Sequence, residues 1–180
     1  PSPNDTVLIV GMGPIGLFTL QALTIHGVRR IVAVDKNTAR LRMAERLGAI
    51  PIDAGREDPV RFVHEMTYGR GATVTVDAVG AEITRMQCVR AVAPGGRVVF
   101  AGLHDGESKL PINDIIRSEI RVFGSFAYSA SNFAEALQWL MEGRVTLNQW
   151  VVKEPLEKGA ECFERLLNDP GDVAKILLVP

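Results

Sequence analysis

Apolar positions along this chain fall in short β-branched runs separated by segments of helical period. The runs occupy Thr6 to Val10, Arg30 to Asp35, Ala49 to Asp53, Thr73 to Ala78 and Arg97 to Ala101, and a sixth, Ile120 to Phe126, follows a less regular connection. Their near-continuous apolar character is that of strands covered on both faces of a parallel sheet. The intervening segments carry readable helix ends. One helix starts at about Pro14 and closes at Gly27, and a second starts near Thr38 and closes at Gly48. A third takes Asp58 as N-cap with Pro59 at its first position, and a fourth runs from about Ala81 to the turn "PGG", Pro94 to Gly96. Gly just past a helix and Pro just inside one are the residues that helix ends favour. Strand and helix alternating in this order predict an α/β fold, a doubly wound parallel sheet in three α/β/α layers with right-handed crossovers. After Phe126 the pattern changes. From about Leu147 it predicts a short strand, then a helix with Leu156, Ala160, Phe163, Leu166 and Leu167 at helical spacing, then a last strand before Pro180.

The first strand runs straight into "GMGPIG". Gly11, Gly13 and Gly16 fit G-x-G-x-x-G, in which the first glycine permits a tight turn, the second lets a pyrophosphate approach the backbone, and the third lets the helix pack closely. The helix N-terminus then presents unpaired N–H groups and a positive dipole end to an anion. Such a motif is weak alone, but here it follows a strand, opens a helix and is answered by Asp35, 19 residues beyond Gly16 at the end of the next strand. A carboxylate there accepts hydrogen bonds from the adenosine ribose and opposes a 2′-phosphate, so NAD is expected rather than NADP. Either Lys36 or Arg40 could partly neutralise such a phosphate; otherwise they read as solvated charges at a helix start, with the Arg40 stem on the adenine side.

Composition narrows the partners. The chain has 180 residues, 47% of them apolar, with a formal net charge of −1, enough for one sizeable core. It holds no Lys/Arg block to meet nucleic acid or an anionic membrane, no apolar run long enough to span a bilayer, and no basic-then-apolar leader at its start. A cytoplasmic protein is expected. Cys88 and Cys162 read as reduced, packed thiols. Because the first residue is Pro1 rather than Met, the chain is expected to be processed or part of something longer.

Taken together, "VLIVGMGPIGL", "IVAVDKNTARLRMAERLGA", "VDAVG", "VRAVAPGGRVVFAGL" and "IRVFGSFAYSASNFAEAL" resemble the cofactor-binding half of the zinc-dependent medium-chain alcohol and polyol dehydrogenases, the group that includes sorbitol and threonine dehydrogenases. The resemblance implies a Rossmann domain over residues 1–146 and a segment, 147–180, that returns to a catalytic domain. It implies that Gly11, Gly13, Pro14, Ile15 and Gly16 cradle the pyrophosphate, that Asp35 takes the adenosine ribose, and that Arg40 lies near the adenine, with Lys36 counted among the cofactor-binding residues. Val79, Leu103, Ser125 and Phe126 then correspond to positions lining the nicotinamide or its ribose. Met12 stands where a small residue is more usual, with little consequence if its side chain faces away from the ligand.

The family's catalytic zinc is held by an amino-terminal domain that this sequence does not contain. His26, His64 and His104 lie in separate segments without a second ligand at metal spacing, so zinc is expected only in a full-length enzyme acting on a small alcohol. This chain alone is expected to be inactive. The resemblance also implies a homodimer or larger homo-oligomer, with Glu107 to Asn113 running at the sheet edge and pairing with its twin. Two other functions fit parts of the pattern. An S-adenosylmethionine-dependent methyltransferase shares the glycine loop, the acidic residue and the "PGG" turn but not the role of Gly16, and a non-catalytic nucleotide-sensing module would use the binding site without the chemistry.

Overall fold

A computed structural model describes residues 2–147 and 150–180, which divide into two compact units, 1–128 and 129–180. The first unit holds six strands: β1 (Thr6–Val10), β2 (Arg30–Asp35), β3 (Ile50–Asp53), β4 (Ala72–Asp77), β5 (Val92–Phe100) and β6 (Arg121–Gly124). All neighbours are parallel, in the order β3-β2-β1-β4-β5-β6. The order turns back at β1, so β2 and β4 flank it and their following loops part there, leaving a crevice above the carboxyl ends. Every residue of β1 is buried. Leu8 and Val10 share a core with Val32, Val34, Val63, Cys88 and Val98, and the alternate positions Val7 and Ile9 are also fully enclosed.

The helices are α1 (Pro14–Ile25), α2 (Thr38–Arg46), α3 (Pro59–Met66), α4 (Glu82–Ala91) and α5 (Ile112–Arg117). Their starts follow local chemistry: the Asn37 side chain accepts from the N–H groups of Ala39 and Arg40, and Asp58 accepts from Val60 N–H. The expected doubly wound α/β architecture is therefore present. Beyond one-residue shifts at the ends of β3 and β4, the larger differences from the sequence pattern lie after the fourth helix. The fourth helix ends at Ala91, and "PGG" lies within β5, because Val92 already pairs with Ala72 and the register then shifts so that Val74 pairs with Arg97. Pro94, Gly95 and Gly96 thus form a bulge rather than a helix stop, pinned by Gly95 N–H donating to Ser118 C=O at 2.7 Å. The sixth strand is shorter than 120–126. Glu107 to Asn113 forms no strand: its first part is irregular and Ile112 opens α5, while the edge of the sheet beside it is β6.

The second unit contains α6 (Ala130–Met141), β7 (Val151–Pro155), a short 3-10 turn at Leu156–Lys158, α7 (Gly159–Asn168) and β8 (Lys175–Val179). Ser129 and Asn132 form a reciprocal capping box that starts α6. The strands β7 and β8 pair in parallel, Val151 opposite Lys175, with α7 as the crossover. The strand expected from about Leu147 includes residues 148 and 149, which lie outside the described residues; the described part begins at Val151. Of the apolar face expected on the tail helix, Leu156, Ala160, Phe163 and Leu167 are exposed and Leu166 is half-buried, while the buried residue of α7 is Cys162.

Candidate cofactor site

Above the switch point between β1 and β4 lies a cavity of about 520 Å³, within the range of small-molecule sites. Gly11 and Gly13 form one wall; Asp35, Lys36 and Arg40 form the β2 side; Val79 closes the β4 side. The three glycines hold their positions for three different reasons. Gly11 has φ +97°, a conformation that side chains disfavour, and a Cβ there would stand 2.5 Å from a Val79 methyl. At Gly16 a Cβ would collide with the Gly11 carbonyl oxygen. Gly13, by contrast, has φ −74° and ψ −170°, open to any residue, and a Cβ there would meet no protein atom within 4 Å. Neither backbone conformation nor protein packing requires a glycine at 13. The space beside its Cα opens into the cavity.

The start of α1 fits an anion. Gly13 is its N-cap, no side chain caps it, and its first turn carries no acidic residue. Arg40 lines the β2 side, and its Nε is buried without a hydrogen-bond partner. Asp35 has a second task. One carboxylate oxygen accepts from Met12 N–H at 2.7 Å and the other from Asn37 N–H at 2.8 Å, so the side chain ties the glycine turn to the start of α2. Each oxygen keeps a further lone pair for a hydroxyl. Met12 itself is fully buried, so its bulk is turned away from the cavity.

Six of the residues proposed from sequence thus surround one cavity: Gly11, Gly13, Asp35, Lys36, Arg40 and Val79. Pro14 and Ile15 open α1 beside it, and Gly16 packs behind the turn. Leu103, Ser125 and Phe126 are exposed and outside its walls, Leu103 in the loop after β5 and the other two directly after β6, on the same carboxyl edge of the sheet. The sequence reading missed Ala54, Ala81, Ile83, Thr84 and Gln87, which line the cavity. The last three share one face at the start of α4, where exposed Ile83 was the available signal.

The loop after β5 is latched to α4. Asp105 accepts from Glu82 N–H at 2.7 Å, supplying the helix with a cap from a distant segment, and Glu82 in turn accepts from Lys109 N–H at 2.8 Å. That backbone hydrogen bond, and the His104 ring 2.7 Å from the other oxygen, hold the Asp105 carboxyl below its ordinary value. A carboxylate depressed in the folded state stabilises fully above its unfolded pKa, about 3.9, and loses that contribution as pH falls through the folded value. Glu82 amide protection is therefore expected to drop on acidification below about pH 4, relative to an Asp105→Asn chain measured in parallel, in hydrogen exchange followed by NMR. An identical pH dependence in the two chains would refute the latch. Elsewhere the Cys88 thiol is pushed up by complete burial and by the Asp77 charge, which makes it an inert core residue.

A family profile described as zinc-binding dehydrogenase matches residues 14–142. The chain belongs to the zinc-binding dehydrogenase family. It is 31% identical over 155 residues to a probable D-xylulose reductase A of Emericella nidulans, an alignment covering 83% of this chain and 43% of that protein. Among solved structures it superposes on the alcohol dehydrogenase TADH from Thermus sp. ATN1 with a TM-score of 0.91 at 30% identity, covering 99% of this chain and 52% of that one. A structure described as a short-chain alcohol dehydrogenase from Escherichia coli CFT073, in complex with NADH, matches with a TM-score of 0.89 at 26% identity, covering 100% of this chain and 53% of that one. The chain spans about half the length of the zinc-binding dehydrogenases it matches, and corresponds to their C-terminal, cofactor-binding part. Membership of this family sets aside the methyltransferase reading. Among the described residues no group of three or more His, Cys, Asp or Glu side chains is placed to hold a metal ion, so these residues do not fit the family's zinc. No helix among them is long and apolar enough to cross a membrane.

Proposed function

We propose that this chain binds NAD(H) across the β1/β4 crevice and serves as the cofactor-binding half of a zinc-dependent alcohol or polyol dehydrogenase. The observation that carries the reading is Gly13: glycine where neither φ nor neighbouring atoms demand one, at an uncapped helix start, inside a cavity. The pyrophosphate rests against Gly11, Gly13 and the N-terminal turn of α1 at Pro14, Ile15 and Gly16, where backbone N–H groups and the helix dipole favour it. Asp35 accepts from the adenosine ribose hydroxyls, Lys36 flanks them, and Arg40 lies on the adenine side. The second half of the dinucleotide extends past Val79 toward Leu103, Ser125 and Phe126. Bound there, NAD accepts or delivers a hydride. What this chain contributes is orientation and exclusion of water from one face of the ring; substrate, a small alcohol, and zinc belong to the remainder of the enzyme. In this reading residues 1–146 are the NAD-binding domain, 147–180 return to the catalytic domain, the enzyme is cytoplasmic, and it assembles as a homodimer or larger homo-oligomer.

The test is calorimetric titration of the 180-residue chain with NADH and NADPH. We expect NADH to bind about tenfold more tightly or better, since a 2′-phosphate would be forced against the Asp35 carboxylate, and we expect NADPH to gain in an Asp35→Ser chain. Equal or tighter binding of NADPH by the unaltered chain would defeat the assignment. The same preparation is expected to form no NADH from alcohols, because none of the described residues is set up to take the alcohol proton beside the crevice; alcohol-dependent NADH formation would refute the division of labour.

A further inference from the structure

A charged carboxylate sits at the end of the central strand β4 with no access to solvent. Asp77 is 0% exposed, and each of its oxygens is engaged. Oδ1 accepts from the N–H groups of Val79 and Gly80, both at 3.0 Å, and Oδ2 accepts from Gly80 N–H at 3.0 Å and faces Arg85 Nε at 3.8 Å. Its backbone carbonyl accepts from Ala101 and Gly102 N–H. Arg85, on the first turn of α4 and itself largely covered, reaches on: one terminal nitrogen donates to Ser108 Oγ at 2.7 Å, the other to Gly102 C=O at 3.5 Å.

A tight turn alone does not call for this arrangement. Asp folds back on N–H groups two and three residues ahead in many turns, but Asn does so without the desolvation cost of a buried charge. The carboxylate's added consequence here is Arg85, and through it the loop after β5. Gly80, at φ +90°, lies backbone to backbone against Gly102, leaving no room for a Cβ on either. Val79 meanwhile touches Gly11 across the cavity floor. Asp77 and Arg85 therefore hold together three segments: the turn after β4, the start of α4 and the 102–108 loop. The first two line the crevice on the side away from Asp35, and the 102–108 loop braces them from outside its walls.

We propose that Asp77 and Arg85 are positioning residues for the nicotinamide half of the dinucleotide, fixing the Val79 wall against which that half lies and the place of the Leu103 loop beyond it. The inference rests on the dinucleotide reading of the crevice: Asp35 marks the adenosine side, so the other mononucleotide falls on the β4 side of the switch point. A ring that must present one carbon to a substrate depends on such a wall to within about an ångström. No hydrogen bond of this network reaches β2, α2 or the glycine turn, whose contact with it is the packing of Val79 against Gly11.

The experiment compares NADH with AMP, which reports the adenosine side alone. In an Asp77→Asn chain the NADH dissociation constant is expected to rise about tenfold, and the fluorescence enhancement of bound NADH to fall, while AMP affinity stays within about twofold of wild type. Should Asp77→Asn fail to fold by circular dichroism, Arg85→Gln serves instead, with the same readouts expected in the same direction. Equal weakening of NADH and AMP would reduce both residues to scaffold and overturn the proposal, as would unchanged NADH binding. A wild-type chain that binds neither ligand would remove the dinucleotide reading and this inference with it; wild-type binding with an unchanged NADH-to-AMP ratio in the variants would remove this inference alone.

Discussion

A Gly13→Val chain is expected to lose NADH affinity by about a hundredfold or more, because the side chain displaces the pyrophosphate from the α1 amides and forfeits at least two charge-assisted hydrogen bonds. Its stability should scarcely change. The backbone at 13 has φ −74° and ψ −170°, which valine adopts freely, and a Cβ there has no protein neighbour within 4 Å. The remaining cost is that of valine for glycine at an N-cap, about 1 kcal/mol, to be read from the urea midpoint. Calorimetry with NADH and urea denaturation on the same preparation decide it. A variant that still binds, or one that unfolds several kcal/mol more easily, would show that Gly13 is retained for some reason other than a ligand.

Gly16→Ala should behave in the opposite way. Its Cβ would collide with the Gly11 carbonyl oxygen, a backbone atom at the end of a fully buried strand, with the Met12 side chain only 3.1 Å away on another side. Relief requires shifting either α1 or the turn, and we expect a loss of about 3 kcal/mol of stability, the upper part of the range for overpacking a core by one methyl. Urea denaturation without ligand gives the measurement; a loss below about 1 kcal/mol would mean that the turn yields easily. The two substitutions together separate the roles inside one motif: position 13 answers to the ligand, position 16 to the fold.

The first two strands, the first three helices and the glycine turn are legible because each is encoded locally. The runs Thr6 to Val10 and Arg30 to Asp35 coincide with β1 and β2, and the Asp58–Pro59 start of α3 is where the N-cap rule puts it. The "PGG" turn was read as a helix stop because Pro and Gly punctuate both helix ends and bulges. Only the pairing of Val92 with Ala72 distinguishes the two.

By itself the sequence determined that this is a doubly wound α/β chain with a dinucleotide-type turn and an acidic residue closing the second strand, because periodicity, caps and glycine spacing are short-range properties. Tertiary structure alone decided which residues share the crevice. It drew Ile83, Thr84 and Gln87 into the wall, left Leu103, Ser125 and Phe126 on the exposed carboxyl edge, and joined Asp77, Arg85, Gly102 and Ser108 across up to 31 positions of chain. The physical reason is that a buried charge finds its partner where packing brings one within a few ångströms, and that distance is set by how helix and sheet stack rather than by any spacing along the chain.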